Sequence, residues 1–173
     1  LVNVGYTDAK IYLKVTVKDL GNGELKTTGE YFSDELFQTA LTAPAFVNSY
    51  EPIGTTVVLN ADKALTGREA IDGEFSFRVL YGDTVVATGG NYGGSVLFSG
   101  IGISATAFAN APKNSDGNAE FVFAMEELNT NQGAVTFDTN TYYAKVVVKN
   151  NLATLNGTLD VNVANISATE LME

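Results

Sequence analysis

The chain has no cysteine and no histidine, 3 prolines, and 10 Lys+Arg against 20 Asp+Glu. Each shortage excludes something. Without cysteine there is no disulfide framework, no thiolate metal site and no Cys-based thioester. Without histidine the commonest general base and metal ligand is gone, and no Ser-His-Asp or Cys-His set can exist. A net charge of −10 argues against binding nucleic acid or an anionic membrane surface, because both need basic patches. No apolar run is long enough to span a bilayer, so no membrane insertion is expected. No signal peptide and no LPxTG-like sorting tail is read at either end, and the chain is expected to be an internal or trimmed fragment of a secreted protein. The Asp116-Gly117-Asn118 and Asp19–Asn22 stretches carry too few ligands for calcium, and neither a metal nor another cofactor is expected.

What is present is the raw material of β-sheet: 17 Gly, 8 Tyr and 10 Phe, with abundant Val and Thr. Period-2 alternation predicts a strand over 10–18, in which Ile11, Leu13, Val15 and Val17 alternate with Tyr12, Lys14 and Thr16. The turn Leu20-Gly-Asn-Gly23 closes it, and 26–31 returns. Further strands are predicted near 55–59 (continuing towards Lys63), 73–81, 84–88, 95–99, 120–127, 141–149 and 158–164. Only 33–41 has helical spacing, with Leu36, Phe37, Ala40 and Leu41 on one face behind a Ser33 cap. Seven strands from residue 55 on suggest two packed sheets of Ig-like or Cna-B-like topology, an all-β sandwich.

The chain also repeats itself. Tyr6-Thr-Asp-Ala-Lys-Ile-Tyr-Leu-Lys-Val-Thr-Val-Lys-Asp19 matches Phe137-Asp-Thr-Asn-Thr-Tyr-Tyr-Ala-Lys-Val-Val-Val-Lys-Asn150 without a gap. Ala45-Phe-Val-Asn48-Ser is set against Asn162-Val-Ala-Asn165-Ile. Residues 1–51 thus read as the C-terminal strands of a preceding, incomplete repeat, and 52–173 as a complete domain.

The segments Thr56-Val-Val-Leu-Asn-Ala-Asp-Lys63-Ala-Leu-Thr-Gly-Arg68, Gly73-Glu-Phe-Ser-Phe77, Val85–Thr88 with Asn91, Gly94–Phe98, Phe121-Val-Phe-Ala-Met-Glu126-Glu127 and Val135–Tyr142 follow one another in order. As a set they resemble the isopeptide-linkage domain of streptococcal-type pilins, the FctA-like, T-antigen family of Gram-positive surface proteins. The resemblance covers about 55–165. It implies a structural shaft or stalk module of a pilus or cell-surface adhesin, extracellular and attached to the cell wall. Neighbouring repeats and other pilin or adhesin subunits would be its partners, with sortase and a host surface ligand as further ones.

The resemblance also implies a single-turnover chemistry and no turnover enzyme. Lys63 falls where the family's reactive Lys stands, four residues beyond the strand's Leu59, and burial disfavours the charged form of an amine, leaving a neutral nucleophile. Glu126 is chosen as the proton shuttle on the family spacing to Phe137-Asp138. Strand parity by itself points to Glu127, which shares a face with Phe121, Phe123 and Met125. Asn165 is the acceptor amide, preferred over Asn162 on the opposite face, and Asn48 is the acceptor of the preceding repeat. A Lys63–Asn165 crosslink would close a loop of roughly a hundred residues and add on the order of 4 kcal/mol. The bland readings are a strand-end Lys with its stem packed, an exposed Glu pair and a polar strand end. Ala111-Pro-Lys113-Asn114 partly resembles a pilin linkage motif but sits in a polar loop, where turn chemistry explains it better. The alternative function is a ligand-binding adhesin module recognising host glycan or matrix protein through exposed Tyr and Asn/Gly loops such as 89–94.

Overall fold

The computed structural model describes residues 4–130, 133–152, 157–168 and 170. The chain divides into two compact units, Val4–Tyr50 and a larger one from Glu51 onward.

In the smaller unit β1 (Val4–Gly5) pairs with β5 (Ser49–Tyr50), and β2 (Tyr12–Asp19), β3 (Leu25–Phe32) and β4 (Ala40–Leu41) form a three-stranded antiparallel sheet in that order. The helix expected over 33–41 is not formed. Asp34 accepts the backbone N–H groups of Gln38 and Thr39, which ties the segment into a turn, and Phe37 adopts a left-handed φ of 56° there. These local side-chain bonds compete with helix, as short acidic residues do.

The larger unit holds β6 (Thr55–Val57), β7 (Asn60–Asp62), β8 (Ser76–Tyr81), β9 (Thr84–Tyr92), β10 (Ser95–Phe98), β11 (Ile101–Ile103), α1 (Ala105–Asn110), β12 (Ala119–Leu128), β13 (Thr141–Asn150) and β14 (Leu159–Ile166). Seven strands hydrogen-bond in the order β14-β13-β12-β8-β9-β10-β7, and β11 pairs with β6 as a second layer. The fold is an all-β sandwich, though one sheet carries most of it. Strand β11 and the short helix were not expected from the sequence. Ser104 caps that helix by accepting the Ala107 N–H. No helix among the described residues is long and apolar enough to cross a membrane.

Alternation decides which side chains are buried. On β12, Ala119, Phe121, Phe123 and Met125 face inward, and their β13 partners Val148, Val146 and Ala144 do the same. Leu59, Phe75, Val79 and Val96 join them in one core. Asn91 is the one polar residue among those described that is buried as a whole, main chain and side chain together. Its Oδ1 accepts the Phe75 N–H at 2.8 Å, and its Nδ2 donates to Ile71 O at 2.9 Å. Its bonds are therefore structural, and 89–92 belong to β9 instead of an open loop.

Candidate functional site

Lys63 directly follows β7, and its N–H donates to Gly94 O at 2.8 Å, which continues the β7–β10 ladder one step past the strand. This backbone bond fixes where its side chain enters the core. The Lys63 Nζ lies 4.3 Å from the centroid of the Phe75 ring, and Phe75 packs edge-on against Phe137 at 6.0 Å.

The partner of Lys63 is Glu127. Its Oε1 lies 2.7 Å and its Oε2 3.0 Å from the ammonium, and the two side chains are 9% and 3% exposed. Oε2 also accepts the Asp138 N–H at 2.8 Å. Oε1 is buried and has a charge contact to Nζ but no aligned hydrogen bond. Both carboxylate oxygens therefore face the ammonium.

Glu126, expected to be the shuttle, points the other way. It is the direct cross-strand neighbour of Arg78 and Thr141. Its Oε2 is 2.7 Å from Arg78 Nη2 and its Oε1 accepts the Thr141 hydroxyl at 3.2 Å, on a face where it is 28% and Arg78 41% exposed. The structure thus corrects the placement. Parity along β12 sends Glu127 inward with Met125 and sends Glu126 outward, and a family spacing good to one residue cannot override that alternation.

Asp138 shows how its segment turns. Its amide points in to Glu127, while its carboxylate accepts the Asn140 N–H at 2.9 Å and the Tyr142 hydroxyl at 2.7 Å. The Asn140 amide first, and then the Tyr142 hydroxyl, hold the Asp138 carboxyl below its usual range; the same bond raises Tyr142.

Asn165 is exposed near the end of β14, on the face of its partner Ala144, whereas Asn162 pairs with Val147 on the opposite face. Lys63, Glu127, Phe137, Asp138 and Asn165 line one cavity of about 810 Å³. The structure does not bring Asn165 into hydrogen-bond contact with the pair. Its row on the sheet runs through Ala144 to Phe123, and Glu127 lies four residues further along β12, about 13 Å at roughly 3.3 Å per residue.

Asn48 lies in the smaller unit, where its Oδ1 accepts the Thr7 N–H at 3.3 Å. Its equivalence to Asn165 does not hold in register. Leu13 pairs with Tyr31 as Ala144 pairs with Asn165, and Asp19 with Leu25 as Asn150 with Leu159, so Tyr31 stands in the place of Asn165. The two hairpins share one pairing register, and Asn48 lies outside it, beyond β3 and β4 in the chain. That match of backbone pairing was invisible to a comparison of side-chain identities.

Arg68 is engaged by Glu74 in a two-pronged ion pair, and Lys113 lies 4.0 Å over the Phe108 ring. Asn114 Oδ1 accepts the Asp116 and Asn118 amides, a turn rather than a metal loop. Among the described residues no cluster of three or more acidic side chains could hold a metal.

The family model for the Spy0128-like isopeptide containing domain, FctA, matches residues 59–171. That is well over half the chain and takes in both Lys63 and Glu127. The protein belongs to this family of pilin-type, isopeptide-containing surface-protein modules. No curated protein and no solved structure matches the chain.

Proposed function

We propose that the larger unit is a self-crosslinking structural module of a pilus or cell-surface adhesin, with Lys63 as the nucleophile and Glu127 as the proton carrier. The reading rests on one observation, an ion pair 2.7 Å long between two nearly inaccessible side chains inside a family of isopeptide-forming domains. A buried pair of this kind costs desolvation energy that an apolar pair of the same shape avoids, so it is weak evidence for stability alone. Proton transfer from the Lys63 ammonium to Glu127 frees the amine lone pair and leaves the proton on the carboxyl.

The amine lone pair then attacks the Cγ of an asparagine carboxamide. Protonated Glu127 donates its proton to the carboxamide nitrogen, and its carboxylate takes one back from Nζ, so the carboxyl ends the step as it began. The new Nζ–Cγ bond replaces the Cγ–Nδ2 bond, and ammonia leaves. Within the chain the proposed acceptor is Asn165, which lines the cavity together with Asn60, and forming that bond requires the end of β14 to close on Lys63. The unit Val4–Tyr50 is read as the end of a preceding repeat, and neighbouring repeats or subunits are the proposed partners. Such a bond carries load that a β-ladder alone would have to bear, which suits an extracellular shaft.

Intact mass tests the reading. Native protein loses one ammonia per bond formed, Lys63→Ala and Glu127→Ala retain full mass, and Glu126→Ala still forms the bond. Full mass of the native chain, in monomer and in any covalent oligomer, refutes the proposal; a bond lost in Glu126→Ala but kept in Glu127→Ala returns the role to Glu126.

A further inference from the structure

The internal repeat relates the edge that β5 occupies in the small unit to a segment beside the large unit's reactive pair. In the small unit β5 lies antiparallel to β1, Val4 opposite Tyr50 and Gly5 opposite Ser49, and Asn48 accepts the Thr7 N–H. By the ungapped repeat and the shared hairpin register, Val4, Gly5 and Thr7 correspond to Val135, Thr136 and Asp138. Val135 and Thr136 belong to no strand. The Asp138 N–H, which corresponds to the one Asn48 holds, is taken by Glu127, the carboxylate paired with Lys63. Thr136, Phe137 and Asp138 line the cavity beside that pair. A strand laid along Val135–Thr136 in the register of β5 therefore brings an asparagine side chain to the Asp138 amide, directly against Glu127.

The chain's own Asn48 cannot make this approach. Ile53 is tied to Gly157 O at 2.6 Å, next to the Thr158–Asn151 bond at the Asn150 end of β13. Asp138 precedes the opposite end of that 10-residue strand, about 33 Å away. From Asn48 to Ile53 the extended chain reaches at most about 18 Å. The two-residue ladder that holds β5 is short, and Phe46 and Val47 beside it are 66% and 74% exposed, so the segment has apolar area to bury on a new edge.

We propose that Phe46–Tyr50 of a second copy of this chain adds as a strand along Val135–Thr136 and seats Asn48 against Glu127 and Lys63, so that a Lys63–Asn48 amide joins the two copies with loss of one ammonia. The inference rests on the Lys63–Glu127 reading above and changes only the acceptor. The exchange is a form of strand swapping, in which β5 leaves β1 for an equivalent edge. The net charge of −10 on each copy slows encounter and makes the reaction faster at high salt.

The test uses the full chain, denaturing electrophoresis, intact mass and peptide mapping. Native protein forms covalent dimers and longer ladders as concentration rises, each link lacking one ammonia and mapping to Lys63 and Asn48. Asn48→Ala and Lys63→Ala each stay monomeric alone, and their mixture gives a dimer with a single link. A synthetic peptide of residues 43–52 replaces the Lys63→Ala chain as the donor, so the result does not depend on that variant folding. A mixture that stays monomeric, with no adduct to the peptide, overturns the proposal. If ammonia is then lost within the monomer and Asn165→Ala prevents it, the in-chain crosslink stands and only the second-copy acceptor falls. If no form of the protein loses ammonia, both fall.

Discussion

The hairpins β2–β3 and β13–β14 have the same pairing register and related sequences, yet one is exposed and the other is core. Leu13, Val15 and Val17 are 51%, 55% and 56% exposed, while their counterparts Ala144, Val146 and Val148 are each fully buried. The difference lies in their neighbours. Strand β13 is flanked by β12, whose Phe121 and Phe123 lie beside Val146 and Ala144, whereas β2 is the edge of its sheet. An alternating sequence makes a strand with one apolar face, and only a covering layer turns that face into a core.

The largest expected effect comes from separating the two units. A fragment of residues 51–173 unfolds in one cooperative thermal transition followed by circular dichroism, and a fragment of residues 1–50 shows none. In the described part of the smaller unit Phe32 alone is buried, and sheets of two or three strands without a covered face are marginal in water. A cooperative transition in the short fragment would break the comparison, because it would show that the β2–β3 sheet needs no cover.

A smaller effect separates the matched valines. Val146→Ala removes two fully buried methyl groups and costs about 2–3 kcal/mol by denaturant unfolding of the 51–173 fragment. Val15→Ala, at the equivalent position in the intact chain, changes stability by less than about 0.5 kcal/mol, as surface substitutions do. Equal losses at the two sites would mean that β2 is covered in solution, which the second-copy assembly does not require.

The strands were legible because alternation is a local property of the sequence. Every predicted strand from 73 onward has its counterpart, and the inward set on β12 was readable from Phe121, Phe123 and Met125. The same parity sends Glu127 inward beside Lys63, whereas the choice of Glu126 rested on an interval between motifs in place of the face of the strand. The Ile101–Ile103 strand was too short and glycine-interrupted to stand out. The place of Asn165 relative to Lys63 depends on register across three strands and on sheet curvature, neither of which any single segment encodes. Likewise, Asn48 resembled Asn165 in its neighbours, but hydrogen-bond register set Tyr31 in that place.

The smallest effect lies in the ion pair between Arg68 and Glu74, in the larger unit. The Arg68 guanidinium first, and then the Ile71 amide, depress Glu74 to about 2 from an ordinary value of 4.5. Because the folded value is the lower one, the contribution is fully present above about 4.5, the unfolded value, and fades as pH falls from there through about 2. Arg68 is 48% exposed, so solvent screening keeps the effect modest. Arg68→Ala should flatten the fall in melting temperature across that acid window and shift it little at neutral pH relative to Val146→Ala. Asp34 of the smaller unit is also depressed, by the Gln38 and then the Thr39 amide, but it ties only a surface turn. Asp34→Asn should therefore leave the acid limb of the larger unit unchanged. An equal change from both variants would show that the two units share one unfolding transition, and that the covered and uncovered hairpins are not independent.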